Sequence, residues 1–293
     1  MSDIAAAPED RYAADAAFAR EIAEEAGRIL LERYERVEHI EHKSSKDVVT
    51  EVDHLSEALI MDAIRRRFPG DGILAEESGE HRGGDGAGGA AGDRAGAVAR
   101  SLAHGRTWII DPLDGTVNYA NGLPLFCVSV GLVVDGRPAA GAVHDPMRGE
   151  TYWASADGPA RLGERVVHAS DKESLVDLVL HMALAGRSVT TRARAIRKAI
   201  RVSRNIGSAA LGLAYVANGR FDGFIQSGGM SAWDVAAAGL IAERAGAIVT
   251  DMNGGPWFDV ERATRSFGII AAPPAHHAEL LRLAREPELV ERI

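Results

Sequence analysis

Two aspartates three positions apart, Asp111 and Asp114, are followed at once by Gly115 and Thr116. The run before them, Trp108-Ile109-Ile110, is apolar and short enough for a buried strand. Pro112 fixes its own φ and holds Asp111 extended, so that carboxylate projects from a stiff strand end. Gly115 admits a backbone turn closed to other residues. Carboxylate and carbonyl oxygens are ligands of Mg²⁺. Turn amides and a small hydroxyl suit a phosphate. The pattern therefore points to metal-assisted chemistry on a phosphate. Asp-Pro and Asp-Gly are also ordinary turn formers, so a plain surface turn is the competing reading of these few residues taken alone.

Further acids stand at comparable places. Glu76 and Glu77 end the short apolar stretch Gly72-Ile73-Leu74-Ala75, and Ser78 follows. Adjacent acids there also fit a solvated turn. Asp234, after Trp233, opens a run of small residues from Val235 to Gly239. An acid in the first turn of a helix is favoured by the helix dipole whatever else it does. No Cys or His cluster accompanies these acids, so a hard, oxygen-ligated cation fits better than a soft metal.

The stretch Asp111 to Tyr119, Asp-Pro-Leu-Asp-Gly-Thr-Val-Asn-Tyr, resembles the signature of the inositol monophosphatase family without departure. Glu76-Glu77-Ser78 upstream and Trp233-Asp234 downstream are similar to two further motifs of that family, in the same order. The resemblance implies an α/β (α+β) fold, a layered αβαβα sandwich of the inositol monophosphatase and fructose-1,6-bisphosphatase type. Residues 1–154 would form an N-terminal α+β part with most metal ligands, and 155–293 a C-terminal α/β part with Asp234 and the substrate contacts. The implied reaction is hydrolysis of a phosphate monoester, inositol 1-phosphate first, with two or three Mg²⁺ ions. Glu76, Asp111 and the Leu113 carbonyl would hold one ion, and Asp111, Asp114 and Asp234 another. Thr116, polarised by Asp47, would orient the attacking water, which Glu76 also contacts, with Glu77 just outside the cluster. The Gly115 and Thr116 amides would hold the phosphate.

On the substrate side, Gly207-Ser208-Ala209 stands where the family has Gly-Thr-Ala against the substrate ring. Inositol-specific members carry a glutamate shortly before Trp-Asp, and this chain has Gln226 and Ser227 there. Gln226 can still hydrogen-bond a hydroxyl. The change leaves histidinol phosphate, fructose 1,6-bisphosphate and 3′-phosphoadenosine 5′-phosphate open as substrates. Family members are often lithium-sensitive homodimers. Some act in complexes with transcription machinery, which is the competing class of function.

Secondary-structure patterns supply the elements that must position these groups. Arg11 to about Tyr34 reads as a helix with Phe18, Ile22, Ala26 and Ile29 on one face. Thr50 is a candidate N-cap for a helix to about Phe68, with Val52, Leu55, Leu59 and Ala63 inward and Pro69-Gly70 as its stop. Strands are expected over Phe126–Val134, Pro138–Val143 and Glu150–Ala154, the first two joined by an Asp135-Gly136 hairpin. His144-Asp145-Pro146 reads as a turn and Leu175–Leu180 as a buried strand. Thr190–Ile200 reads as a basic helix with a solvated face, and a helix follows Ser208 to about Asn218. Strands over Phe221–Gln226, Ala247–Thr250 and Ser266–Ala271 alternate with helices over Asp234–Ala245 and Pro274–Arg285. Residues 1–9 read as frayed. Gly83–Gly96, with seven glycines, reads as a flexible loop beside the site.

Composition bounds the rest. The 293 residues are 46% hydrophobic, and no apolar run reaches the roughly 18 residues that span a bilayer. There is no basic-then-apolar leader, and Cys127 is the single cysteine, reading as a small core residue, so a reducing cytoplasm is expected. A net charge of -9 without a basic cluster interleaved with aromatics argues against nucleic acid as a ligand. A phosphorylated metabolite still fits, because a bound cation reverses the local sign.

Overall fold

The computed structural model describes residues 10–36, 40–44, 47–81, 104–186, 189–260 and 266–285. The glycine-rich stretch 83–96 and residues 1–9 lie outside these. The first helices are α1 (Ala13–Arg33) and α2 (Glu51–Arg67), with a hairpin of β1 (Ile40–Ser44) and β2 (Asp47–Thr50) between them. Next come β3 (Gly72–Ala75), β4 (Gly79–His81), β5 (Arg106–Asp114), the short α3 (Thr116–Ala120), β6 (Cys127–Val134), β7 (Arg137–Asp145) and β8 (Glu150–Ser155). With β9 (Arg161–Leu162) and β10 (Arg165–Val166) they form an eight-stranded sheet in the order β10-β9-β8-β7-β6-β5-β3-β4. The remaining strands are β11 (Val179–Ala183), β12 (Val202–Arg204), β13 (Gly223–Met230), β14 (Ile248–Asp251) and β15 (Phe267–Ala272). They form a five-stranded sheet, β12-β11-β13-β15-β14. Helices α4 (Val189–Ala199), α5 (Ala209–Ala214), α6 (Ala232–Arg244) and α7 (Pro274–Arg285) complete the chain.

Strand periodicity explains the layering. In β5, Trp108 and Ile110 join one core cluster while Ile109 joins another, and in β15, Ile269 and Ala271 part from Ile270 and Ala272 in the same way. Both faces of each sheet are therefore covered, which is why these strands read as unbroken apolar runs. The first cluster packs α1 and α2 on the large sheet, the second packs α5 and α6 between the sheets, and the third packs α4 and α7 on the outer face of the small sheet. Five layers, αβαβα, result.

Local expectations were met unevenly. Asp135 and Gly136 both have positive φ, as the tight hairpin requires. Leu175–Asp177 is a 3₁₀ turn, and the strand expected there begins only at Val179. His144 and Asp145 end β7, buried, with the turn falling after them. His144 packs against Gly27 and bonds Thr151, where a wider residue at position 27 would collide with the ring. Helix α2 buries Val52, Ser56, Ile60 and Ile64 with Asp53, Glu57 and Met61, while Leu55 is 43% exposed. The expected face was rotated because it followed apolar residues alone, and three of the buried positions are polar.

The middle layer depends on a glycine pair. Gly131 and Gly141 face each other across β6 and β7, and α6 lies over them. A Cβ at Gly141 would stand 2.7 Å from Ala237 Cα and Cβ, and one at Gly131 would stand 3.2 Å from Ala236 Cβ. The missing side chains set how closely α6 approaches, and so where Asp234 at its start stands. Gly141→Ala is expected to cost about 1–3 kcal/mol, read from denaturant unfolding, with Gly131→Ala costing less. Equal, negligible costs at both positions would show that the helix is free to shift.

Candidate active site

A bulge in β5 creates the centre of the site. Asp111 pairs with Ser129 and Asp114 with Cys127, so three steps on β5 match two on β6. In an unbroken strand, residues three apart point to opposite faces. The extra residue removes that inversion and puts both carboxylates on the side of β6 that carries Cys127 and Ser129. Pro112 lies within the bulge, where its missing N–H costs no ladder bond. Asp111 Oδ1 accepts from Leu113 N at 3.1 Å, and Ser56 Oγ of α2 donates to the Pro112 carbonyl at 2.9 Å. The bulge is thus held from within and from behind.

Asp234 completes the cluster from the other side. Its Oδ2 accepts from Ser231 N at 2.6 Å, and Ser129 Oγ anchors the same helix start through the Trp233 carbonyl at 3.1 Å. Oxygens of Asp111, Asp114 and Asp234 all lie within 4.8 Å of one another. They line one cavity of about 180 Å³ with Glu76, Leu113, Gly115, Thr116, Val117, Gly207, Gly229, Ser231 and Trp233. Strands β3 and β5 run parallel, so Glu76 leaves its strand beside Asp111, and Glu76 N donates to the Ile110 carbonyl at 3.1 Å.

Asp114 is also the joint between the two halves of the chain. Its Oδ2 accepts from Ser208 Oγ at 2.5 Å and Ala210 N at 2.7 Å, and its Oδ1 from Ala209 N at 3.3 Å. The carboxylate therefore caps α5 across the sandwich. Ser208 is buried and gives its hydroxyl to Asp114, not to the cavity. Gly207 does line the cavity, with φ of 75° and the Asn118 amide so close that any Cβ would collide. Asn118 Nδ2 donates to the carbonyls of Leu125 and Ile206, tying the Asp-Gly-Thr turn to the Gly-Ser-Ala turn. Gly115, φ 98°, has no room for a side chain beside the Leu125 carbonyl.

Two expectations are corrected here. Thr116 Oγ1 approaches Asp53 Oδ1 at 3.2 Å and the Leu113 carbonyl at 3.0 Å, so the carboxylate found beside Thr116 is that of Asp53, where the sequence pointed to Asp47. Asp47 opens β2, paired through its backbone with Ser44, and its side chain lies outside the described set. Asp53 sits in the first turn of α2, where Thr50 N and Thr50 Oγ1 fix its Oδ2 at 2.8 and 2.6 Å. Being both a capping-box acid and the Thr116 partner, it was hidden by the more ordinary of its two roles. Gln226 and Ser227 do not line the cavity: Gln226 Nε2 turns to the Gly228 carbonyl at 3.3 Å, and Ser227 Oγ accepts from Ala185 N at 2.7 Å. Gly229 and Ser231 take their place, because β13 shifts register between Gln226 and Met230.

Glu77 lies off the cavity, and its N–H donates to Glu57 Oε2 at 2.9 Å. Glu57 and Ser56 of α2 were not singled out from the sequence. The signal was present: Asp53, Ser56 and Glu57 recur at helical spacing on the buried side of an otherwise apolar face.

The electrostatics are those of a cation site. Burial, then the charges of Glu76, Asp114 and Asp234, push the Asp111 carboxyl well above the usual range. Burial, then Asp114, does the same to Asp234. Burial also raises Asp114, against the bonds from Ser208 and the α5 amides. Asp53 is raised to about 6 by burial, against its bonds to Thr50. Among the described residues, none of the cavity-lining side chains is a Lys, Arg or His. A described donor set of carboxylates, a carbonyl and hydroxyls fits Mg²⁺.

Raised carboxyl values mean that the folded chain holds protons that the unfolded chain releases above roughly pH 4. Without metal, the fold is therefore expected to lose stability as pH rises through the raised values, and a bound cation offsets this. The melting-temperature gain from saturating Mg²⁺ should be larger at about pH 8 than at about pH 5. Asp111→Asn should melt higher than the parent without metal at the upper pH and gain little from Mg²⁺. An equal gain at both pH values would contradict this account.

The sequence profile of the inositol monophosphatase family matches residues 12–288. A Nus factor SuhB of Salmonella typhimurium is 38% identical over 241 residues, covering 80% of this chain and 83% of that protein. The SuhB of Haemophilus influenzae is 35% identical over 271 residues, covering 90% and 92%. Among solved structures, the extragenic suppressor protein suhB of Bartonella henselae superposes with a TM-score of 0.80 at 30% identity, covering 94% of this chain and 99% of that one. A Thermotoga maritima IMPase gives 0.76 at 32%, covering 92% and 96%. Both have the layered sandwich described above. With the three motifs gathered in one acidic cavity on this sandwich, the chain belongs to the inositol monophosphatase family.

Proposed function

We propose that this protein is a Mg²⁺-dependent phosphate monoester hydrolase, with inositol 1-phosphate the first candidate substrate. The observation that carries the reading is the cluster of Asp111, Asp114 and Asp234, oxygens within 4.8 Å, in a cavity that no positive side chain lines among the described residues. Glu76, Asp111, the Leu113 carbonyl, Asp114 and Asp234 would hold the ions. Bound Mg²⁺ supplies charge neutralisation on the phosphoryl oxygens and an acidified water. Thr116 then positions that water: its own proton points to Asp53 or the Leu113 carbonyl, leaving an oxygen lone pair toward the cavity. Asp53, rigidly held by Thr50, is the acceptor that keeps Thr116 so oriented. The Gly115 and Thr116 amides are assigned to the phosphate, and Gly207, Gly229, Ser231 and Trp233 to the leaving alcohol. Lithium sensitivity, a homodimer and a cytoplasmic location accompany this reading. Among the described residues no helix is long and apolar enough to cross a membrane.

A second reading is favoured by the name of the relatives: proteins called Nus factor SuhB suggest a role in a transcription complex. The two can coexist, since the acidic cluster is complete in this chain.

Phosphate release with Mg²⁺ from inositol 1-phosphate, histidinol phosphate, fructose 1,6-bisphosphate and 3′-phosphoadenosine 5′-phosphate tests the first reading. Turnover is expected and should vanish in Asp111→Asn. Thr116→Ala and Asp53→Asn should each lower kcat on the order of 10²–10⁴-fold, with Asp47→Asn close to the parent. A folded, Mg²⁺-binding protein that hydrolyses none of the panel would overturn the enzyme reading. Partner capture from a lysate that persists in Asp111→Asn would then favour the complex.

A further inference from the structure

The buried carboxylate of Glu57 is not used by the reaction as described, and its surroundings say what it does. It is 4% exposed, on a helix face that is otherwise mostly apolar. Its two oxygens take two consecutive backbone amides, Oε2 from Glu77 N at 2.9 Å and Oε1 from Ser78 N at 3.0 Å. A carboxylate that straddles adjacent N–H groups fixes the orientation of the peptide between them, through charge-assisted bonds. The residue just before is Glu76, whose own N–H is taken by the Ile110 carbonyl at 3.1 Å, next to Asp111. The backbone of Glu76 is thus clamped on both sides, by β5 and by α2. One residue earlier on the same helix, Ser56 holds the Pro112 carbonyl of the bulge. Two neighbouring side chains on one rigid helix therefore set the distance between the Glu76 turn and the Asp111–Asp114 bulge.

We infer that Glu57 is a positioning residue that aims Glu76 at the metal site and so sets the protein's affinity for the divalent cation. The inference rests on the metal-site reading given above. Turn capping alone would make Glu57 matter for folding but not for cation affinity, and that difference is measurable.

The probe is Mn²⁺ binding to the full-length protein, followed by electron paramagnetic resonance, alongside a Mg²⁺ titration of phosphate release. Glu57→Gln keeps the size but turns an amide nitrogen toward one of the two N–H donors, removing half of the clamp. Its half-saturating Mn²⁺ concentration is expected to rise about 10–100-fold, the range seen when groups behind metal ligands are changed. Activity should recover at saturating Mg²⁺, and metal-free unfolding should stay cooperative. Glu57→Asp, which keeps the charge on a shorter arm, should fall between, and it decides the question if Glu57→Gln does not fold. Leu55→Gln, on the exposed side of α2, should change neither readout. Unchanged Mn²⁺ affinity in the folded Glu57 variants, with binding lost in Asp111→Asn, would overturn the inference alone. Unchanged affinity in Asp111→Asn as well would overturn the metal site itself.

Discussion

Asp111, Asp114 and Asp234 carry like charges with oxygens within 4.8 Å of one another, and a chain must be forced to keep them so. Burial raises all three carboxyls, and the neighbouring acids add to the shift at Asp111 and Asp234. Much of the surrounding structure reads as the means of holding them. The bulge turns two aspartates to one face. The Ser231 amide fixes the third, and Ser208 with the first amides of α5 fixes Asp114. Each donor partly offsets a negative charge without bringing in a side-chain cation that would compete with a metal.

The same bonds join distant parts of the sequence. Asp114 lies in the large sheet, and its partners at 208–210 belong to the layer between the sheets. Asn118 repeats the connection one turn later through the Ile206 carbonyl. Helix α6 reaches the cluster only because Gly131 and Gly141 let it lie close on the large sheet. The site is therefore a property of the middle interface. Carboxylates from positions 76 to 234 meet where three layers touch, and packing at that interface is coupled to their geometry.

The cavity is chemically divided. Glu76 and the three aspartates supply its carboxylates, and Gly207, Gly229, Ser231 and Trp233 are also in its lining. Glycines at 207 and 229 both have positive φ, and they place backbone rather than side chain at this wall. Gln226 and Ser227 are spent on local backbone groups, so no acid or amide side chain from that stretch enters the cavity. The cavity thus sets four carboxylates beside a lining of main chain, hydroxyls and an indole.

How much of this could be read from the sequence follows from which interactions are local. The Gly115 turn, the hairpin at Asp135-Gly136 and the period-2 strands depend on neighbours along the chain, and residue types alone signal them, whereas the bulge in β5 shows only in its pairing with β6. The acids at 76, 111, 114 and 234 that line the cavity were visible because three short motifs each place an acid at the end of a strand or the start of a helix. What the sequence could not settle was which side chain meets which across layers. Asp47 and Asp53 both precede or open the same helix, and only the packing of α2 against β5 brings Asp53 to Thr116. Glu57 looked like one more helix charge until its oxygens were found on two amides of the β3 turn. Ser208 looked like a substrate contact until burial gave its hydroxyl to Asp114. The sequence by itself determined which acids could do chemistry and the order of the elements, because those rest on residue type and local period. The tertiary structure alone decided the partners, because a hydrogen bond across layers depends on the rotation and distance of whole elements, which no local pattern encodes.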